Sequence, residues 1–278
     1  MSFEIMGILN VTPDSFYDGG KFDGTDRAVA RAMQMIGEGA DIIDIGGEST
    51  GPNSKTVSAE EELRRVIPVI ETMRKYDKCD KCNKYLSHLR IDSIYHISVD
   101  TYKSKVAEAA LDAGAAMVND VTAGRGDPAM FPLIAERRCM YIMMHSKDDS
   151  PRTTVESRSY EDVLGTIHDF FEERIGAAVQ AGIARDQLIL DPGLGHFVSN
   201  DPQYSWHILE HLEFLQDFGC RILVSPSRKS FTAEHQQQSP AERLPGTLRA
   251  TALAIAHGVA IIRTHDVKET KAISPLLP

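Results

Sequence analysis

The chain alternates eight short apolar runs with amphipathic stretches, and this alternation constrains the fold more than any other feature. Each run has the length of a strand and is almost continuously apolar, which is typical of strands buried on both faces of a parallel sheet. The eight runs are Ile5–Leu9, Ile42–Ile45, Ile97–Val99, Ala116–Val118, Met140–Met144, Leu188–Leu190, Ile222–Val224 and Ala260–Ile262.

Helical patterns separate these runs. They cover Asp26–Glu38, Ala59–Lys75, Lys103–Ala113, Pro128–Glu136, Tyr160–Ala181, Pro202–Phe214 and Arg243–His257. Strands that alternate with helices in this way predict an α/β fold, a single (β/α)8 TIM barrel over residues 1–278. Only Asp266–Pro278 follow the last run, so the eighth helix is expected to be short. A doubly wound sheet is the alternative, but the chain has no Gly-x-Gly-x-x-Gly turn after an early strand.

Composition limits the partners of the chain. The net charge of −10 argues against a general nucleic-acid binder, although a few cations in one pocket could still bind a small anion. No apolar run approaches the roughly 20 residues that span a bilayer, and no basic region precedes an apolar one as in a secretory signal. Four cysteines are too few for a disulfide scaffold, so we expect no membrane partner and a cytoplasmic location.

A polar insertion at about 76–95 separates the second helix from the third strand. It carries Cys79-Asp80-Lys81-Cys82. A Cys-x-x-Cys pair suggests half of a zinc site, which His88 or His96 could complete. The alternative is two exposed thiols on a charged loop, and we favour it because no second half with matching spacing follows.

Polar side chains stand at the carboxyl ends of the predicted strands. Among them are Asp44, Asp100, Asn119 and Asp191. Because these ends meet at one rim of a barrel, and because an unpaired buried carboxylate is costly, we expect the four to converge on a ligand. They suit a heterocycle edge rich in N–H donors, such as an aminopyrimidine, and Lys229 could donate to its ring carbonyl. Asp120 and Asp266 lie one step further into their loops and are expected to accept hydrogen bonds in turns or helix caps.

Basic side chains cluster after the seventh and eighth strands. They are Arg228, Lys229, Arg263 and His265. The loops after these strands are the usual phosphate site of a barrel, so the clustering predicts an anion site in this acidic chain. The isolated His96, His207 and His257 are expected to be surface or packing residues.

Seven stretches resemble, in order and over nearly the whole chain, the dihydropteroate synthase family of folate synthesis. They are Met6-Gly-Ile-Leu-Asn-Val-Thr-Pro-Asp-Ser-Phe16, Asp44-Ile-Gly-Gly-Glu-Ser-Thr50, Ser98-Val-Asp-Thr101, Val118-Asn-Asp120, Leu190-Asp-Pro-Gly193, Ser227-Arg-Lys-Ser-Phe231 and Arg263-Thr-His-Asp-Val-Lys-Glu-Thr270. The first and the last two are long enough to be specific, whereas Asp-Pro-Gly alone would be weak.

The resemblance implies an enzyme that joins 6-hydroxymethyl-7,8-dihydropterin diphosphate to p-aminobenzoate and releases pyrophosphate with Mg²⁺ present. The residues implied for the pterin are Asp100, Asn119, Asp191 and Lys229, with Asp44 nearby. Those implied for the diphosphate are Asn10, which would lie beside Mg²⁺, Arg263 and His265. Thr50 and Ser230 would face p-aminobenzoate. Asp100, Asp191 and Lys229 are the expected catalytic residues, and the family also implies a homodimer formed through the last helices.

Three departures from the family pattern fall near the expected p-aminobenzoate side. The chain reads Gly51-Pro52-Asn53 where the family usually has Arg-Pro-Gly. It reads Leu194-Gly195-His196-Phe197-Val198 in place of Phe-Gly-Phe-Gly-Lys, and Met144-His145-Ser146 in place of Met-His-Met. The second and third resemble the sulfonamide-insensitive synthases, which suggests reduced sulfonamide sensitivity.

Two other functions stay open at this point. A pterin-binding methyltransferase uses a similar barrel, but methyl transfer releases no diphosphate and gives no reason for the basic cluster. A pterin-binding module without catalysis is the second alternative, because Gly51 replaces a cation of the family. Pyrophosphate release on mixing both substrates separates these alternatives from a synthase.

Overall fold

Eight parallel strands close into one barrel in the computed structural model, which describes residues 3–12, 24–52, 54–77, 96–235 and 238–273. The strands are β1 (Glu4–Asn10), β2 (Ile42–Gly46), β3 (His96–Asp100), β4 (Met117–Asp120), β5 (Met140–Met144), β6 (Leu188–Asp191), β7 (Arg221–Val224) and β8 (Ile261–Thr264). Each strand pairs with its neighbours in chain order, and β8 closes the barrel onto β1. The predicted (β/α)8 barrel is confirmed.

Helices follow the strands around the barrel. They are α1 (Gly24–Glu38), α2 (Ala59–Asp77), α3 (Ser104–Asp112), α4 (Met130–Arg137), α5 (Val163–Gln180), α6 (Pro202–Leu209), α7 (Leu244–Ala256) and α8 (Val267–Ile273). The last of these has seven residues, as the prediction of a short eighth helix required. No helix in the described ranges is long and apolar enough to cross a membrane.

The predicted helix Pro202–Phe214 is in fact two elements. Asp201 caps α6 by accepting a hydrogen bond from the backbone N–H of Gln203 at 3.0 Å. The α-helix ends at Leu209, and His211, at φ −138° and ψ 34°, leaves the helical course before a 3₁₀ helix over Leu212–Phe218. Apolar periodicity alone did not predict this break, because both pieces bury residues at similar spacing.

The barrel has two cores because side chains alternate between the faces of each strand. Outward residues pack against the helices in the larger core. A smaller cluster forms one layer in the lower barrel interior, to which every strand except β3 contributes one residue. Its members are Met6, Ile42, Met117, Ile142, Ile189, Leu223 and Ile261. The next inward position on each strand lies two residues further along, at the carboxyl-terminal mouth of the barrel.

The polar insertion lies almost wholly outside the described residues. α2 continues through Asp77, slightly beyond the predicted start of the insertion, and β3 begins at His96. Residues 78–95, with Cys79, Cys82 and His88, fall in the gap between these described ranges. The zinc hypothesis stays a prediction.

Candidate active site

The alternation of inward residues places a set of polar side chains at the barrel mouth. Two positions after the lower apolar layer, the inward residues include Asp44, Asn119, Asp191 and Arg263, and Asp100 takes the corresponding place on β3. All but Asp100 and Arg263 are buried to less than 9% exposure. The predicted convergence of the acids and the amide is present in the structure.

Arg263 links two of these acids. Its Nε donates to Asp44 Oδ2 at 2.6 Å, and its Nη2 donates to Asp100 Oδ2 at 2.6 Å. Asn119 Nδ2 donates to the same oxygen of Asp44 at 2.9 Å. Asp44 Oδ1 is buried and, within the described part of the chain, has no hydrogen-bond partner. Two carboxylate oxygens of the cluster thus accept three hydrogen bonds, and a third oxygen, Asp44 Oδ1, accepts none.

One guanidinium between two carboxylates leaves an excess of negative charge, and the pKa values reflect it. Burial raises the pKa of Asp100 to about 7; Arg263 lowers it and Asp44 raises it further. Burial lowers the pKa of Arg263, but Asp44 and Asp100 more than reverse this and hold it above its ordinary value. The Arg263 guanidinium therefore stays charged, and the pKa of Asp100 is raised to near neutral pH.

Asp191 and Lys229 form the other half of the mouth. Asp191 Oδ1 accepts the backbone N–H of Gly193 at 2.8 Å. Burial raises the pKa of Asp191, while Lys229 lowers it. Burial lowers the pKa of Lys229 to about 8, and the Asp191 charge opposes this shift. Lys229 Nζ lies 5.0 Å from the centre of the Phe197 ring and, among the described residues, makes no hydrogen bond or ion pair. Its ammonium is free to donate to a ligand.

These side chains surround a small inner cavity that opens into a wider cleft. The inner cavity, of about 70 Å³, is lined by polar residues that include Thr50, Asp100, Asn119, Asp191 and Lys229. The lining of the outer cleft, of about 330 Å³, includes Gly51, Pro52, Ser230 and His265. Its remaining lining residues are Ile8, Thr153, Leu194, His196, Phe197, Ser225, Ser227, Lys229, Arg243 and Arg263. Lys229, Arg263, Phe197 and Ser225 border both spaces.

His265 stands at the outer cleft as a neutral imidazole. Burial lowers its pKa to about 4, and the nearby charge of Arg263 lowers it further. Its Nδ1 lies 2.9 Å from Ser227 Oγ, which also accepts the backbone N–H of His265 at 3.1 Å. A hydroxyl can donate one hydrogen bond while its oxygen accepts others, so Ser227 can donate to Nδ1 and still accept the backbone N–H. The His265 Nε2–H can then act as a donor towards the cleft.

The structure departs from two expectations about the basic cluster and its neighbours. Arg228 does not line the outer cleft, and its Nε and Nη2 donate to Asp266 at 2.9 and 2.6 Å, so it is not placed in the anion site. Asp266 does take the N-cap position of α8, where its carbonyl accepts the backbone N–H of Thr270 at 2.9 Å, but in the described residues its side chain pairs with Arg228 and makes no cap or turn hydrogen bond. Asp120, in contrast, accepts from the backbone N–H groups of Thr122 and Gly124 at 2.7 and 2.9 Å, as predicted for a turn acceptor.

The side chains expected to face p-aminobenzoate are at the mouth, with one unexpected neighbour. Thr50 borders the inner cavity, and its carbonyl accepts the backbone N–H of Thr153 at 3.2 Å. Ser230 Oγ lies 3.3 Å from His196 Nε2 in the outer cleft. His196 Nδ1 is buried and has no partner in the described ranges. Burial lowers the pKa of His196, and Lys147 adds to this, so this imidazole is neutral.

Asn10 ends β1 at the same rim. It pairs in register with Gly46 of β2, next to Asp100 of β3. Its side chain is exposed. The following loop, residues 13–23, lies outside the described residues.

The loop after β2 is held by a second ionic cluster outside the barrel interior. Lys103 Nζ contacts the carboxylates of Glu48 and Glu62, and Arg152 contacts Glu48. Both carboxylate side chains are almost completely buried. This cluster ties the loop that carries Thr50 to α2, to the loop after β3 and to the loop after β5.

Sequence reasoning missed several residues of the site. Ser225 follows Leu223 of β7 by two positions, so the alternation could have placed it inward. Phe197 and Arg243 lie in 3₁₀ helices of long loops, where no periodicity marks them. Arg243 donates to the backbone carbonyls of Arg228 and Gln238 at 3.0 and 2.9 Å and so supports the loop that carries Lys229.

Comparisons with known proteins agree with this geometry. The profile of the family described as "Pterin binding enzyme" matches residues 6–265. The dihydropteroate synthase of Bacillus subtilis is 38% identical over 273 residues, which cover 98% of this chain and 87% of that protein. The chain spans most of the length of that synthase.

Solved structures give the same assignment. A Xanthomonas albilineans dihydropteroate synthase determined with 4-aminobenzoic acid superposes with a TM-score of 0.85 at 38% identity, over 99% of this chain and 91% of that chain. A Yersinia pestis dihydropteroate synthase determined with a sulfonamide drug complex superposes with a TM-score of 0.84 at 36% identity, over 99% and 92%. The chain described here belongs to the pterin-binding enzymes and, among them, to the dihydropteroate synthase family.

Proposed function

We propose that the protein condenses 6-hydroxymethyl-7,8-dihydropterin diphosphate with p-aminobenzoate, giving 7,8-dihydropteroate and pyrophosphate. Family membership supports the reaction. The observation that carries the proposal for this chain is the inward set of acids with Lys229 at one barrel mouth, next to a cleft with its own donors. In the reaction the arylamine nitrogen forms a bond to the pterin methylene carbon, the carbon–oxygen bond to the diphosphate breaks, and the amine loses a proton.

The pterin would occupy the inner cavity. Asp100, Asn119 and Asp191 offer carboxylate and amide groups to the aminopyrimidine N–H donors, and Asp44 supports them through Asn119 and Arg263. Lys229 would donate to the ring carbonyl, because its ammonium has no other hydrogen-bond partner among the described residues. The same carboxylates would stabilise positive charge that spreads into the pterin as the diphosphate leaves. Asp100, Asp191 and Lys229 are thus the residues proposed to be catalytic.

The diphosphate would lie towards the outer cleft. Arg263 brings a permanent positive charge to the border of both spaces, and His265 offers an Nε2–H. Asn10 lies at the same rim and offers an exposed amide oxygen. A neutral histidine is a hydrogen-bond donor here and not a counter-ion, so the charge on the leaving group must be met mainly by Arg263 and by a metal ion.

We propose Mg²⁺ as that ion, held in part by Asn10. Mg²⁺ prefers oxygen ligands, keeps several waters and is commonly bound through one or two protein groups together with substrate phosphates. A single exposed amide oxygen beside a diphosphate site fits this pattern. When bound, Mg²⁺ would neutralise charge on the departing pyrophosphate.

The p-aminobenzoate would lie between Thr50 and Ser230. No covalent nucleophile is required, because an arylamine is already nucleophilic, and positioning of the two substrates would supply much of the rate. Gly51, Pro52 and Ser230 all line this cleft.

A coupled pyrophosphate assay tests the whole proposal. Purified protein mixed with the pterin diphosphate and p-aminobenzoate should release pyrophosphate only when both substrates and Mg²⁺ are present. Absence of pyrophosphate release, with pterin binding still detected by calorimetry, would favour the non-catalytic module or the methyltransferase. Transfer of a methyl group from methyl-tetrahydrofolate to a corrinoid protein would identify the methyltransferase.

We further propose that the p-aminobenzoate side is altered enough to reduce sulfonamide sensitivity. Two of the three sequence departures border the outer cleft: Gly51, and the segment that carries His196 and Phe197. The third does not, because Ser146 Oγ accepts the backbone N–H of Asp148 at 3.3 Å and is not a lining residue. His196 beside Ser230 puts a polar ring where the family usually has Phe.

The His196→Phe variant tests this idea against sulfamethoxazole. We expect the inhibition constant to fall in the variant while KM for the pterin diphosphate stays unchanged, because the inner cavity is untouched. The Ser146→Met variant is the matched control and should leave inhibition unchanged. A wild-type inhibition constant equal to that of ordinary synthases would remove the proposal.

A homodimer is also proposed, on the family's pattern alone, and a cytoplasmic location is proposed from the composition of the chain. The described α7 and α8 expose no large apolar side chain. A dimer through these helices would therefore use polar or small residues, and sedimentation of the purified chain would test it.

A further inference from the structure

A group of metal-binding side chains lies at the end of α6, on the outside of the barrel. His207 is in the last turn of α6, and Glu210 and His211 follow in the turn after it. One ligand atom from each of the three lies within 4.8 Å of the other two. His207 and Glu210 are exposed and His211 is partly buried, so small rotations of the side chains could bring the three atoms onto one ion.

One of the imidazoles is already oriented. His211 Nδ1 lies 2.8 Å from the backbone carbonyl of His207. A carbonyl only accepts hydrogen bonds, so Nδ1 carries the proton and Nε2 keeps its lone pair. A hydrogen bond from the other ring nitrogen to a carbonyl is the usual way in which proteins fix the tautomer and direction of a metal-binding histidine. The His207 ring lies next to it, with the two ring centres 4.4 Å apart.

The surroundings favour a cation. His207 and Glu210 line a surface cavity of about 540 Å³ between the start of α5 and α6. Glu161 and Asp162 line the same cavity. Clefts lined by charge of one sign raise the local concentration of counter-ions, and this cleft has room for the waters that would complete a coordination shell.

We propose that His207, Glu210 and His211 form a binding site for a divalent ion of the late first transition series, such as Zn²⁺ or Ni²⁺. Two imidazoles and one carboxylate are nitrogen and oxygen donors that suit these ions and not Mg²⁺, which prefers oxygen alone. The site is on the outer surface and shares no residue with the barrel mouth, so it is independent of the proposed reaction.

A second group of three in the chain provides a comparison. His168, Asp169 and Glu172 on α5 also have ligand atoms within 4.8 Å of one another. This group has a single imidazole, and the His168 ring packs on Phe218 with ring centres 4.6 Å apart. We expect this group to bind the same ions much more weakly.

Fluorescence offers a direct measurement of binding. Trp206, the single tryptophan of the chain, precedes His207 and lines the same cavity. Ni²⁺ bound at this site should quench its emission, and Zn²⁺ binding can be followed by calorimetry. Both titrations use the full chain, with a large excess of Mg²⁺ present to exclude oxygen-only sites.

Three variants decide the assignment. The His207→Gln/His211→Gln double variant should weaken binding by at least about tenfold and abolish quenching, whereas His168→Gln should change neither. The Cys79→Ser/Cys82→Ser variant should bind as the wild type does, which distinguishes this site from thiols of the insertion. Unchanged affinity in the double histidine variant would overturn the proposal, and so would loss of binding in the cysteine variant. Circular dichroism checks that each variant is folded.

Discussion

The molecule contains two buried ionic clusters that differ in balance. In the cluster behind the loop after β2, Lys103 and Arg152 face Glu48 and Glu62, so two bases meet two acids. At the barrel mouth three acids face two bases, and one acceptor and one ammonium have no partner in the described residues. A buried cluster whose charges balance holds structure together, even though Arg152 Nε has no hydrogen-bond partner in the described residues. A cluster with an acid in excess and unmet groups is arranged for a ligand that supplies donors.

The largest effect is expected from substitutions at the barrel mouth, which should lower the catalytic rate without lowering the stability of the fold. Lys229→Ala and Asp191→Asn are each expected to lower kcat/KM by roughly 10³-fold, about 4 kcal/mol, because each removes a group that faces the reacting ring. The unfolding free energy should change little, since burial already opposes the charged forms of both residues. The pyrophosphate assay and urea unfolding measure the two quantities. Near-normal rates in both variants would contradict the site assignment.

The second ionic cluster, around Lys103, should show the reverse: its disruption should lower the stability of the fold. Lys103→Ala leaves Glu62 without its cation, and an uncompensated buried charge costs about 3 kcal/mol of unfolding free energy. Lys105→Ala is the matched control, because Lys105 pairs with Glu60 on the exposed surface. That change should leave the unfolding free energy nearly unchanged, because the pair is solvent-exposed. Equal costs for the two variants would show that the buried cluster is not structural.

A pH comparison should distinguish the mouth from the rest of the chain. The folded protein holds the Asp100 proton up to about pH 7, whereas an unfolded aspartate releases it near 3.8. The folded state therefore binds more protons between these values, and the stability due to this group is present at low pH and lost as pH rises to 7. Asp100→Asn cannot titrate, so the wild type should lose stability relative to this variant over that range. A constant difference from pH 4 to 8 in urea unfolding would contradict the raised pKa.

The smallest effect is expected for Arg228, although it precedes Lys229 in the chain. Arg228→Ala breaks a partly exposed ion pair with Asp266 and should cost about 1 kcal/mol of unfolding free energy or less. KM for the pterin diphosphate should change by less than about threefold, because Arg228 is not among the residues that line the mouth. A large rise in KM in steady-state kinetics would return Arg228 to the anion site.

Much of the site could be predicted from the strands and little of it from the loops. Asp44, Asp100, Asn119 and Asp191 converge because every second residue of a buried strand faces the barrel interior. The hydrogen bonds from Arg263 to Asp44 and Asp100 could not be predicted, because the alternation gives the direction of a side chain and not its partner. Arg228 was misplaced for a local reason. It adopts φ 56°, in the left-handed region, and its guanidinium binds Asp266.

The two-residue period of the strands has a consequence for how such a chain can vary. An insertion or deletion of one residue within a strand would turn its mouth residue towards the helices and its outward apolar residue into the barrel. Length can therefore change between the strands but not within them. The segment at 78–95 lies between α2 and β3, where added length leaves the facing of every barrel residue unaltered.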